Sequence, residues 1–283
     1  MQRIPAVAGQ FYFGEKEKLI RQIKNCFVHE LGPGGLPEEN KATDKRKIIG
    51  AIVPHAGYMF SGAAAAHVYK QLAESKKPET VVIIGPNHTG VGSGLSVYPE
   101  GTWKTPIGSL EIDSEFTKEI LKCGEMIDLD ENAHKYEHSI EVQLPFIQFI
   151  WGDSVKIVPI CMMLHDLDAS DDVAYSIADA SENLKRDIVI LASSDFSHYV
   201  PERVAYELDR LAIETILKLD EEKLIKTIER KKISMCGFAP ISSMIVAAKE
   251  FGAKKAELLN YYTSGDILGD KTQVVGYAAI TVE

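Results

Sequence analysis

Three short apolar, β-branched runs, each breaking off into a histidine-bearing polar loop, constrain this chain more than any other feature. They are IIGAIVPHAGY (48–58), TVVIIGPNHTG (80–90) and DIVILASSDFSHY (187–199). Unbroken apolar runs of this length read as strands buried on both faces, the kind found in parallel sheets between helical layers. Ligands of open α/β sheets collect in the crevice at the carboxyl ends of the strands. His55, His88 and the pair Asp195 and His198 therefore stand where three strand ends open onto one site.

The rest of the chain fits the same frame. Residues 15–31 read as an amphipathic helix, with Leu19, Ile20, Ile23, Phe27 and Leu31 near one stripe, and GPGGLPEEN (32–40) breaks it. Strand 48–53, the alanine-rich helix 63–72 and strand 80–85 form a βαβ unit. Residues 91–112, with glycine turns and Pro106, read as hairpin or irregular strand. Helices are expected at 113–123, 137–150, 168–184, 201–219, 221–230 and 239–251, and strands at 155–160, 187–192, 256–262 and 273–282. Segment 137–150 carries two periods. Ile140, Val142, Leu144 and Phe146 alternate as in a strand, whereas Ile140, Leu144, Ile147 and Trp151 fit a helical stripe, and a helix is expected despite Pro145. The expected fold class is α/β: a single three-layer domain over 1–283, with a central mostly parallel or mixed sheet flanked by helices. No proline-rich linker or internal repeat divides the chain.

Composition narrows the function classes. The chain is 45% apolar, which supplies a substantial core, and its net charge of −10 argues against the broad cationic face of a nucleic-acid binder. No apolar run approaches the ~20 residues of a membrane span, and no secretory leader pattern opens the sequence, so a cytoplasmic, membrane-free protein is expected. The cysteines at 26, 123, 161 and 236 form no CxxC pair and read as reduced thiols.

Neutral imidazole is the commonest metal-binding side chain, and two histidines plus one anionic ligand suit a catalytic metal with open positions. His55 and His88 are the best pair, since both follow strands and lie among glycines. The residues alone leave the third ligand open between Cys236 and Asp195. Cys236 precedes an expected helix, whose dipole would lower the thiol's pKa. His198 suits proton transfer. His134, Glu137, His138 and Glu141 form a further cluster, readable as a second metal site, a shell orienting the first, or a solvated helix start; on a helix, His138 and Glu141 would share a face. His29, His67 and His165 default to structural or surface roles, and Cys123 and Cys161 to packing. GVGSG (90–94) and GPGG (32–35) lack the context of a nucleotide loop, and no GxSxG elbow is present.

AVAGQFY (6–12), PHAGYMFSG (54–62), GPNHTG (85–90), EHSIEVQLPF (137–146), SSDFSHY (193–199) and MCGFAP (235–240) together resemble, in this order, the motifs of the Memo family. The resemblance runs from the first residues to the final strand. It implies a fold similar to the catalytic subunit of class III extradiol ring-cleaving dioxygenases, which hold non-haem iron with two histidines and a glutamate. Carried over, the metal ligands are His55, His88 and Cys236, the cysteine taking the glutamate's place. His198 is similar to the acid/base histidine, Asp195 lies in the same catalytic loop, and Tyr58, Asn87, His138 and Glu141 fall around the ligands or the substrate. The implied cofactor is an iron or copper ion, because a thiolate softens the site; ring cleavage is not implied. Animal members are associated with phosphotyrosine-peptide binding, but Thr89 and Phe238-Ala239 stand here where such members tend to carry additional polar residues. Prokaryotic members resemble parts of a system with a radical-SAM protein, which is thus an expected partner beside a small molecule or peptide. The leading expectation is a Memo-type redox or oxygen-handling metal-binding protein. The alternatives are a non-enzymatic peptide- or metabolite-binding module in a vestigial dioxygenase cleft, and a cysteine hydrolase with Cys236, His198 and Asp195 as nucleophile, base and orienter.

Overall fold

The computed structural model describes residues 1–38 and 45–283. Its first half contains β1 (Gln2–Arg3), α1 (Lys16–Val28), β2 (Gly50–Val53), α2 (Tyr58–Ala73), β3 (Thr80–Pro86), β4 (Leu95–Val97), β5 (Thr102–Lys104), β6 (Ser109–Ile112), α3 (Ser114–Cys123) and β7 (Asp128–Leu129). The second half adds α4 (Leu144–Trp151), β8 (Lys156–Met162), α5 (Leu167–Leu184), β9 (Ile188–Ser193), β10 (His198–Val200), α6 (Glu202–Ile216), α7 (Glu221–Lys231), α8 (Phe238–Glu250), β11 (Ala256–Thr263), α9 (Ser264–Leu268) and β12 (Val274–Val282).

The strands form one mixed sheet in the order β1-β5-β6-β8-β3-β9-β2-β12-β10, with β11 on β12. Its centre is parallel: β8, β3, β9 and β2 run side by side in one direction, whereas β12 joins β2 antiparallel. The first βαβ unit is therefore not closed on itself, because β9 inserts between β2 and β3. That insertion makes the three strands with polar loops immediate neighbours.

Side chains alternate across this centre, as the two-residue period of a strand requires. Ile52, Val82, Ile84, Ile190 and Ala192 enter one apolar core with residues of α3, α5 and α8; Ala51, Val53, Val81, Ile83, Val189 and Leu191 enter the other with residues of α1, α2 and α4. The sheet is thus covered on both faces, the α/β architecture expected. Each such valine, leucine or isoleucine contributes roughly 1.5–3 kcal/mol by leaving water.

The expected helix 137–150 is corrected. A 3-10 turn spans Glu141–Gln143 and the α-helix begins only at Leu144, with Pro145 in its first turn. The Glu137 carboxylate takes the amides of His138 and Ser139 at 2.8 Å each, so this stretch is shaped by a side chain rather than by helical carbonyls. Proline is harmless in a first helical turn, where no amide donor is missed. α2 also starts five residues before the expected position. Of the expected break at 32–40, residues 39 and 40 lie outside the described residues. Among the described residues, no helix is long and apolar enough to cross a membrane.

Candidate functional site

His55 lies just past β2, and its amide donates to Asp195 Oδ1 at 2.8 Å. Its ring Nδ1 is 2.9 Å from Ser193 Oγ at the end of β9. Ser193 donates its only hydroxyl hydrogen to the Ser139 carbonyl (2.6 Å), and its Oγ accepts from Gln143 Nε2 (2.9 Å). A hydroxyl has one donor and two acceptor sites, so Ser193 can only accept from His55, and Nδ1 carries the hydrogen. Nε2 is left with its lone pair, 3.2 Å from Cys236 Sγ.

His88, past the end of β3, is fixed the same way by a carboxylate. Its amide donates to Glu137 Oε2 (2.6 Å) and its Nδ1 to Oε1 (2.9 Å). Burial would raise Glu137's pKa, but the hydrogen bond and charge of His88 override it and hold the carboxyl at about 2. An ionised Glu137 keeps the hydrogen on Nδ1 and the lone pair on Nε2. Glu137 reaches His88 because the 137–140 segment crosses the strand at Gly85, where any Cβ would stand 2.5 Å from Ser139 Oγ.

Cys236 reaches the site through an equally close approach. A Cβ on the next residue, Gly237, would lie 2.4 Å from the Ser193 carbonyl. Sγ also meets the Asp195 carbonyl at 3.6 Å. One donor atom each of His55, His88 and Cys236 lies within 4.8 Å of the others. Between the two anionic candidates, the cysteine joins the histidines, and the Asp195 carboxylate instead anchors the His55 backbone. Burial, with the nearby charges of His138, His88 and His198, pushes His55 well below its usual pKa. The expected lowering of the Cys236 thiol is corrected: burial first, then Asp195, pushes it up. Burial likewise raises Asp195 to about 6, against the His55 amide and the charges of His198 and His88.

The remaining candidates divide. His138 packs its ring on His88 (centroids 4.6 Å) and edge-on to His55 (5.4 Å), with Phe11 at 4.7 Å. His198 donates from Nδ1 to the Ser234 carbonyl (2.7 Å), so Nε2 is the nitrogen left to take or give a proton. Asn87 shapes its own loop: Oδ1 accepts from the amides of Thr89 and Gly90, and Nδ2 donates to the Val91 carbonyl. Tyr58 is packed in the core with its hydroxyl on the Val142 carbonyl (2.6 Å). Glu141 accepts from Arg3, Ala6, Val7 and Tyr12, away from the three donor atoms. No shared helical face joins His138 to Glu141, since the helix begins after both. A second group of His88, Glu137 and His138 also meets metal-ligand spacing. Its carboxylate already accepts from His88, His138 and Ser139, which makes it a hydrogen-bond hub. Sequence reasoning missed Ser193 and Gln143; a lone amide within the apolar run QLPF was the available signal.

The fold and site define an α/β protein with a His/His/Cys group at the carboxyl edge of its sheet. The Memo-like protein family model matches residues 3–281. A MEMO1 family protein of Methanopyrus kandleri is 54% identical over 281 residues, covering 99% of this chain and 98% of its own. MEMO1 family proteins of Sulfurisphaera tokodaii (48% identical, 99% of both chains) and Ignicoccus hospitalis (49%, 98% of this chain and 97% of its own) are similar along the same length. The chain belongs to the Memo family.

Proposed function

We propose that this chain is a metal-binding protein whose His55, His88 and Cys236 hold iron or copper for a redox or oxygen-handling reaction. One observation carries the reading: both imidazoles commit Nδ1 to an acceptor behind them, which leaves Nε2 as the nitrogen that can ligate, and one donor atom of each lies within 4.8 Å of the Cys236 sulfur. Such backing orients ligating imidazoles and raises their basicity. Two imidazoles and a thiolate fit iron or copper better than a hard cation. When bound, the ion would supply Lewis acidity and one-electron chemistry.

The chain's own residues do the rest. His55 is buried and its position is fixed by Asp195, whereas the His88 side chain is 33% exposed and marks the open side where a small molecule enters. His198 keeps Nε2 for moving a proton. The dioxygenase-like fold and the exchange of its glutamate for Cys236, both implied by the Memo motifs, favour oxygen handling and a reaction other than ring cleavage. A small molecule or peptide and a radical-SAM protein are the partners this reading includes.

The 3.2 Å contact of Cys236 Sγ with His55 Nε2 also permits a cysteine nucleophile. A nucleophilic pair needs a thiolate beside an imidazolium. Here burial raises the thiol and lowers the imidazole, which favours the neutral pair and counts against hydrolysis. The test is metal analysis of protein purified without oxygen. Wild type is expected to carry metal, and His55→Ala and Cys236→Ser to lose it. Unchanged metal content in both variants overturns the assignment, and ligand affinity that survives metal removal favours a non-enzymatic module.

A further inference from the structure

We infer that α6 and the adjoining edge of β11 form a self-complementary surface that pairs two copies of this chain about a two-fold axis. The inference is independent of the metal reading. A groove of about 450 Å³ runs between the helix and the strand, lined by Arg203, Tyr206, Glu207, Arg210, Ile213, Leu258 and Tyr261. Its walls keep large apolar groups in water: Tyr206 is 42% and Leu258 38% exposed. β11 pairs only with β12 among the described residues, so its other edge is open.

Charge decides the occupant. The outward stripe of α6 carries Arg203, Glu207, Arg210 and Glu214, spaced four, three and four residues apart. That spacing keeps all four charges on one face of the helix. When two copies of α6 lie antiparallel about an axis between positions 208 and 209, Arg203 faces Glu214 of the second copy and Glu207 faces its Arg210. Every position meets its opposite charge, and Tyr206 meets Leu211. A partner of one net sign would gain from two of these charges and be repelled by the other two. An extended peptide added to β11 is disfavoured, because the β11–β12 register shifts between Leu258 and Asn260 and bends the strand.

Within one copy these charges are only loosely engaged. Arg203 Nε is 3.6 Å from Glu207 and Arg210 Nε 3.5 Å from Glu214, with every partner more than half exposed. Exposed pairs of this kind contribute little, so exchanging them for pairs between copies costs little. The arginine stems can cover the apolar groove while their heads stay in water. A strip one helix and one strand wide lies at the low end of specific interfaces, about 1,000–1,200 Å² in total, which points to a reversible dimer. Closed two-fold pairing also prevents growth into filaments.

Sedimentation velocity of the full chain over about 1–300 μM tests the proposal, with a shift from monomer to dimer expected across that range. Arg210→Glu sets like charges against each other and is expected to weaken the dimer at least about tenfold. The swap Glu207→Arg with Arg210→Glu restores opposite charges across the axis and is expected to restore the dimer, with circular dichroism confirming that each variant is folded. A monomer at every concentration overturns the proposal and assigns the groove to another partner. A dimer indifferent to Arg210→Glu, or one that the swap fails to restore, overturns it as well.

Discussion

Two glutamates four residues apart, Glu137 and Glu141, are both buried, both ionic in their contacts, and opposite in purpose. Glu141 is consumed by its neighbours: Arg3 Nη1 at 2.7 Å, the amides of Ala6 and Val7 at 2.8 and 3.1 Å, and the Tyr12 hydroxyl at 2.7 Å. All four donors come from the N-terminal segment, which Glu141 fastens to the domain. Glu137 is also saturated, yet it orients a His88 ring whose second nitrogen stays free. A polar cluster at a sheet edge thus identifies a site only when hydrogen-bond accounting leaves a donor or acceptor unused.

The largest test of this contrast is Glu141→Ala. It strands the buried Arg3 guanidinium and is expected to cost about 3–5 kcal/mol in urea unfolding, while metal bound per folded molecule stays unchanged. Loss of metal with intact stability would reverse the roles of the two glutamates.

His134 gives the next largest effect and belongs to the same structural region, since Arg3 Nε donates to its carbonyl. Burial, then the Arg3 charge, lowers the imidazole to about 3. The folded state therefore binds fewer protons than the unfolded chain below the ordinary histidine pKa. Stability is full above about 6.5 and falls with pH towards 3, by about 2 kcal/mol at pH 5 for this one group. His134→Gln is expected to flatten the fall in melting temperature between pH 7 and 5. An unchanged slope would remove His134 from the account.

Glu137→Gln should produce the smallest change and the most specific one. Metal affinity is expected to drop about tenfold, as for other residues that orient a ligating histidine, with a smaller stability loss than Glu141→Ala. Titration with metal and urea melts on the same samples separate the two effects. Equal loss of stability in both variants would erase the contrast.

The strand-end histidines were legible because a buried apolar run followed by a polar loop is a local pattern, and local pattern fixes where a parallel strand ends. Memo-like motifs then selected Cys236 over Asp195, a choice the residues alone left open. What made the three loops converge was not local: β9 lies between β2 and β3 through pairings that span more than a hundred residues. The start of α4 was misread because the hydrophobic pattern of 140–151 suits a helix, while the Glu137 side chain diverts the amides of His138 and Ser139. The thiol was misread for a related reason. A helix N-terminus follows Cys236 in sequence, but the pKa is governed by burial against the Asp195 loop, which only the folded chain creates. Ser193 and Gln143 escaped notice because a serine and a glutamine declare no chemistry until their partners are known.

X-ray absorption at the metal edge tests the central claim most directly. The reconstituted wild-type protein is expected to show one sulfur and two imidazoles around the ion, and Cys236→Ser, which loses its metal on isolation, to show imidazoles without sulfur when reloaded with excess metal. A first shell of oxygen and nitrogen alone in the wild type would contradict the His55, His88 and Cys236 site.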